Sequence, residues 1–307
     1  MVVSALWLPF TLSAALFQAW RTAMQQRLRG RFSVNGASLA RFLYGAPFAL
    51  LALLLHRIGW GGAIPDPNAA FWLWVAAGGL AQIVATNLLI LAFGHRNFVV
   101  GTAYSKTDAV QGAFLAWILL AEALSPLSWM GVFVSVAGTL VLSLAGRAPG
   151  WREMVRATFQ PAALCGLGAG LLFALTGIFI KLAVEALPAE EAGHIRRALM
   201  TVVCMTIVQT LMLAAWMLRK EAAMLVAVLR EWRLAMPVGL LSAAGSVGWF
   251  SAYALAPIAL VRSVGQMEIL FTLGFGRFYL REALTRAELV GALLVVGGVV
   301  LVLSGAM

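Results

Sequence analysis

Charge is what this 307-residue sequence has least of: Asp, Glu, Lys and Arg make up 11% of it, against about 25% in an ordinary soluble domain. That shortage excludes most soluble classes. Only two cysteines are present, Cys165 and Cys204, too few for a disulfide framework. Both fall inside apolar runs, where a thiol behaves as a small hydrophobe. The three histidines, His56, His95 and His194, lie near the ends of apolar runs and form no paired ligand motif, so no metal site is expected. Long polar tracts and periodic glycine are missing too, which excludes disordered and collagen-like chains.

What is present is apolar: 62% of residues, with a mean hydropathy of +0.93. A spanning helix needs about 20 mostly apolar residues, so the chain has room for ten spans only if its loops are short. Runs such as Leu289 to Leu303 show none of the alternation of a membrane β-barrel. The fold class expected is therefore all-α: a polytopic membrane protein with ten transmembrane helices. Apolar runs bounded by charge, Pro or Gly place spans near 3–23, 37–56, 69–93, 98–121, 126–146, 160–182, 197–218, 234–255, 257–280 and 286–305. The first run has no basic segment before it and no small-residue cleavage site, so it is read as a retained helix.

The sequence also repeats. Leu120-Ala121-Glu122-Ala123-Leu124, followed by Gly131, Val136 and Gly138, returns 160 residues later as Leu280-Arg281-Glu282-Ala283-Leu284, Gly291, Val296 and Gly298. The same offset aligns Asp108 with Glu268 and Lys106 with Gln266, and a looser match sets Arg41 beside Arg197. The polar stretch from Gly146 to Gln160 separates the halves, giving domains 1–148 and 149–307. Five spans per half is odd, so the halves enter the membrane in opposite senses and form an inverted repeat, an architecture of secondary transporters.

On these residues, Glu122-Ala-Leu with Gly131 and Gly138 and Glu282-Ala-Leu with Gly291 and Gly298, the chain resembles the drug/metabolite transporter superfamily, in its EamA-type branch. The resemblance covers nearly the whole chain in layout and about 50 residues per half in motif. It implies ten helices, a central cavity and transport of small metabolites, often export, in the cell (inner) membrane.

The net charge of +10 resides mostly in arginines between apolar runs. These read as topology determinants, and no nucleic-acid partner is expected. Loops after odd-numbered spans carry Arg27, Arg29, Arg31, Arg147, Arg152, Arg156, Arg219 and Lys220 among others. Loops after even-numbered spans carry Arg57, Arg196 and Arg197, with Arg262 added if it lies outside the membrane. The positive-inside rule puts the odd-numbered loops in the cytoplasm and both termini outside. The family resemblance implies the reverse, and the charge count is the reading taken here.

Asp108 and Glu268 are the two of twelve acids that lie deep in apolar runs, and Lys106 and Lys181 are two of three lysines that do so. Such residues are expensive in a bilayer and face a bundle interior or a water-filled path. Lys106 lies about 15 Å and Asp108 about 18 Å along the helix from Arg96, near the membrane midplane. Tyr104, Asp108 and Gln111 share one helix face at i, i+4 and i+7. Lys106 points away from Asp108, so its expected partner is Glu268. These groups serve either substrate and proton handling or a static packing network.

Trp249 and Tyr253, one turn apart, and Asn87 with Gln82 are further candidates for lining the cavity. Lys181 is expected to snorkel to the interface, Arg41 and Arg197 to anchor there, and Arg21, with Gln18 one turn earlier, is left open. Glu122 and Glu282 are expected to favour the helices that follow them, and the repeated glycines to let helices pack closely or, less directly, to form a dimer face.

The functional expectation is a secondary transporter of a small polar or amphipathic metabolite such as an amino acid, acting as monomer or homodimer among membrane lipids. The alternative is a translocase of a lipid or lipid-linked carrier. No catalytic constellation is expected: Gly245-Ser246-Val247-Gly248 lacks the spacing of a nucleophile elbow. No cofactor is expected, and the driving force is an ion gradient, exchange or the substrate's own gradient. A reporter active only outside the cytoplasm, fused after Met307, is expected to be active, whereas activity of a cytoplasm-restricted reporter there would reverse the orientation.

Overall fold

The computed structural model describes residues 5–28, 31–94, 104–144, 160–189, 193–279 and 285–306. All regular structure among the described residues is helical, the form in which an apolar segment satisfies its own backbone hydrogen bonds. In chain order the helices are α1 (Trp7–Leu28), α2 (Val34–Leu43), α3 (Ala46–Trp60), α4 (Ala69–Gly94), α5 (Asp108–Leu120), α6 (Pro126–Leu144), α7 (Pro161–Ala186), α8 (His194–Lys220), α9 (Ala222–Arg230), α10 (Trp232–Leu255), α11 (Ile258–Gly265), α12 (Glu268–Tyr279) and α13 (Arg286–Ala306). The repeat segment at Leu280–Leu284, with Glu282, and the polar stretch carrying Arg147, Arg152 and Arg156 lie outside the described residues.

Seven segments among the described residues are long and apolar enough to cross a membrane: α4, α6, α7, α8, α10, α13 and the α2–α3 pair taken together. These match seven of the ten expected spans. The other three differ from simple spans, each for a local reason. α1 falls short in hydropathy because Gln18, Arg21, Thr22 and Gln25 interrupt its apolar residues. The runs near 98–121 and 257–280 are not single helices. The first has helical residues at Tyr104–Ser105, a turn at Lys106–Thr107 and then α5; the second has a turn at Gln266–Met267 between α11 and α12. Both turns fall where the sequence places its buried ionisable groups, and each resumed helix opens on an acid, Asp108 or Glu268, which its positive N-terminal end favours.

The expected second span bends at Tyr44–Gly45, between α2 and α3. Pro47, in the first turn of α3, cannot donate to the preceding turn. α10 approaches this bend so closely that a methyl on Gly239 would lie 2.7 Å from Tyr44 O.

The chain folds into two compact units. The first is drawn from Met1–Ile83 and Thr176–Ala256, the second from Val84–Leu175 and Pro257–Met307. In the first, α1 packs along α10, where a methyl on Gly248 would come within 2.7 Å of Phe10 O. An apolar cluster of Leu28, Phe32, Leu39, Phe42, Leu213, Met217 and Val238 holds α2, α8 and α10 together. Ser33 caps α2 by accepting from Gly36 N, and Glu221 accepts from Asn35 Nδ2 at 2.8 Å.

In the second unit α6 and α13 run antiparallel along the repeated glycines. A methyl on Gly131 would lie 2.6 Å from Gly298 O, and one on Gly138 would lie 2.7 Å from Gly291 O. The glycine stripe thus serves packing within the chain. Gly298→Val is expected to cost about 3 kcal/mol, the upper end of overpacking penalties, and to lower the thermal midpoint of the purified protein. Gly297→Val, where an added methyl meets nothing within 4 Å, is expected to leave it unchanged.

Candidate functional site

The two helix breaks meet inside the second unit. Lys106 Nζ, at the first break, pairs with Glu268 Oε2 just past the second, at 2.8 Å. Asp108, just past the first break, pairs through Oδ2 with Arg262 Nη1 at 2.5 Å. All four side chains are largely buried, between 11% and 22% exposed. The expected partnership of Lys106 with Glu268 is therefore present, while Asp108 has a partner that lies on α11.

Gln266 stitches the breaks together. Its Nε2 donates to Lys106 O at 3.4 Å and approaches Asp108 Oδ1 at 3.5 Å. The hydroxyl of Thr139 on α6 reaches its Oε1 at 3.0 Å. An amide is suited to this place because it donates and accepts at once. A backbone carbonyl freed by the first break is thus served by a side chain from the second. Arg262 Nη2 also donates to Phe173 O on α7. α7 comes close because residue 170 is glycine: a methyl there would lie 3.0 Å from Ser105 O.

The break changes one expectation. Tyr104 stands before the turn at Lys106–Thr107 and does not share a continuous helix with Asp108 and Gln111. Gln111 Nε2 instead donates to Thr107 Oγ1 at 2.9 Å, one turn back. Asn87 is half-buried on α4 in this unit. Trp249 and Tyr253 belong to the first unit, where their rings stack with centroids 6.0 Å apart and Trp249 Nε1 donates to Gln18 Oε1 at 3.0 Å. Gln82, also in the first unit, accepts from Gln209 Nε2 at 2.6 Å.

Four expected roles are corrected. Glu122 reaches beyond the helix that follows it to α11, accepting from Ile258 N at 2.8 Å. Pro257, with no N–H of its own, leaves Ile258 as the first donor of that helix. Arg41 and Arg197 are buried, at 7% and 6% exposed, and are not interfacial anchors. Arg41 Nε donates to Ser242 Oγ on α10 at 2.9 Å, and Arg197 Nη1 reaches Val184 O and Leu187 O at the end of α7. Lys181 turns to Ala256 O at the end of α10 rather than snorkelling. In the last two cases a cation sits where helix carbonyls are exposed, the favourable end of the helix dipole.

Arg262 and Gln266 are the site residues that the sequence reading does not single out. Arg262 enters the sequence reading only as a conditional loop cation, although it follows Pro257 by five residues, inside the expected span. Its spacing of one helical turn from Gln266 is the available signal.

Breaking a buried ion pair leaves an uncompensated charge and costs about 3–5 kcal/mol. Asp108→Asn and Arg262→Gln are each expected to destabilise the purified protein on that scale. The double variant is expected to lose at least about 1 kcal/mol less than the two singles together, measured by thermal or denaturant unfolding; strict additivity would mean that the pair does not act as a unit.

The EamA-like transporter family model matches residues 160–304, from the start of α7 into α13. No curated protein matches the chain. Solved structures do: 29 chains match. One of them, described only as "Crystal structure of protein", superposes with a TM-score of 0.70 over 97% of this chain and 96% of that one, at 15% identity. That likeness shows a shared fold. Residues 160–304 thus match the EamA-like transporter family, which supports a transporter role, and the long apolar helices among the described residues are those of an integral membrane protein.

Proposed function

We propose that the protein is a secondary transporter that exports a small polar or amphipathic metabolite such as an amino acid across the cell membrane by alternating access, its halves 1–148 and 149–307 forming an inverted repeat of five spans each. The observation that carries this reading is the pair of broken helices. Both breaks occur at positions 160 residues apart in sequence, Lys106–Thr107 and Gln266–Met267, and both bear buried charge. Discontinuous helices with ionisable groups at the interruption are the usual construction of transporter binding sites.

A second observation supports the repeat. Under the same offset Gly131 corresponds to Gly291 and Gly138 to Gly298, and the close approaches are Gly131 to Gly298 and Gly138 to Gly291. Each contact is the image of the other, as a two-fold relation between inverted halves requires.

The chemistry available follows from the two ion pairs. A proton taken up by Glu268 releases Lys106, and one taken up by Asp108 releases Arg262; an ionised substrate group competes for the same partners. Protonation alone leaves a cation in need of a new anion, and an ionised substrate group supplies one, so the two events together avoid stranding a charge in an apolar interior. Tyr104, Gln111 and Asn87 supply neutral hydrogen-bonding groups in the same unit.

In vesicles containing the purified protein, labelled amino acids are expected to move in response to an imposed pH gradient. Glu268→Gln and Asp108→Asn are expected to reduce that response at least about tenfold, since each removes one titrating partner of a buried pair. Full pH-dependent transport by both variants would overturn proton coupling through these groups. Movement of labelled lipid in place of soluble metabolite would replace the proposed substrate class.

A further inference from the structure

α9 joins α8 to α10, two helices long and apolar enough to cross a membrane. Its nine residues extend about 13 Å, less than half of a hydrocarbon core of about 30 Å. α9 cannot itself cross, and its place is the membrane boundary at which α8 ends and α10 begins.

One face of α9 is committed to the protein. Glu221, its N-cap, accepts from Ser33 Oγ and Asn35 Nδ2. Ser33 N donates to Met224 Sδ at 3.5 Å, and Val228 is fully buried, its carbonyl accepting from Tyr44 Oη at 3.0 Å. Just past the helix, Glu231 pairs with Arg31 at 3.0 Å. The two acids that flank α9 are thus both engaged by residues between the end of α1 and the first turn of α2.

The opposite face is apolar and uncovered. Ala222, Val226 and Leu229 follow one another there at i, i+4 and i+7. Val226, Leu229 and Trp232, the first residue of α10, are 43%, 50% and 44% exposed. Four exposed cations border this stripe: Arg219 and Lys220 at the end of α8, Arg230 at the end of α9, and Arg233 in the first turn of α10. The Arg233 guanidinium lies over the Trp232 ring, 5.4 Å from its centroid.

An apolar face bordered by cations, at the edge of a bilayer, has the composition of a helix that lies in the headgroup layer. A guanidinium presents a planar fork of donors that matches a phosphate. We propose that α9 is an interfacial helix that binds anionic phospholipid: Val226, Leu229 and Trp232 enter the boundary of the acyl chains, and Arg219, Lys220, Arg230 and Arg233 hold the lipid phosphates. This surface is separate from the ion pairs of the transporter reading and does not depend on what is transported.

The first test uses the full chain in detergent and reads thermal unfolding, which a ligand of the folded state raises. Short-chain phosphatidylglycerol is expected to raise the midpoint where phosphatidylcholine of the same chain length does not, and about 0.5 M NaCl is expected to shrink the shift by screening. The double variant Arg230→Gln/Arg233→Gln, at exposed positions, is expected to fold and to weaken phosphatidylglycerol at least about tenfold. Arg57→Gln/Arg286→Gln, which removes two exposed cations elsewhere, is expected to keep the affinity.

The second test reads depth. A nitroxide on Val226→Cys, with Cys165→Ala and Cys204→Ala, in vesicles of phosphatidylcholine and phosphatidylglycerol, is expected to be reached by oxygen and shielded from a water-soluble nickel chelate. Equal shifts by the two lipids, an undiminished affinity in Arg230→Gln/Arg233→Gln, an equal loss in the two double variants, or free access of the chelate to the label would each overturn the proposal.

Discussion

A polar group drawn into the apolar part of this chain has to find its partner within the protein, because lipid offers none. The demand is greatest where a helix is interrupted, since backbone donors and acceptors are freed together with whatever charge sits there. At Lys106–Thr107 and Gln266–Met267 the two interruptions answer each other. Lys106 pairs with Glu268, and Gln266 serves the carbonyl of Lys106 and the carboxylate of Asp108. Arg262 joins Asp108 to α7. Neither break stands alone, because removing either would strand polar groups of the other.

This arrangement needs close backbone approach, and glycine provides it. Gly170 admits the first break against α7, and Gly131, Gly138, Gly291 and Gly298 bring α6 and α13 together. α6 carries Thr139, which reaches Gln266. The small residues and the charged ones are thus parts of one construction. Tight helix packing holds the breaks in register, and the breaks bring Lys106, Asp108, Arg262 and Glu268 together in two ion pairs.

Much of the site is legible in the order of residues. An acid or a lysine deep in an apolar run is costly enough to be informative, and the 160-residue repeat turns two separate observations, Lys106 and Glu268, into an expected pair. Arg262 escapes notice because its run also reads as the edge of a span, where arginine is ordinary. Arg41, Arg197 and Lys181 depart from expectation for a related reason. Long cationic side chains near span ends normally reach for the interface, but here each finds a hydroxyl or a helix-terminal carbonyl inside the protein. Glu122 caps a helix more than a hundred residues away, and local sequence carries no signal of such a partner.

Composition and hydrophobic runs alone determined that this is a helical membrane protein, because an apolar segment of about 20 residues has few other ways to satisfy its backbone. The internal repeat determined which residues correspond. Tertiary structure decided where the helices break and which charges neutralise which. It also decided that Arg41 is buried in the other unit, where it meets Ser242. Those outcomes depend on side chains that meet across long stretches of chain, and a charge chooses its partner by distance in space, which hydropathy and local spacing do not encode.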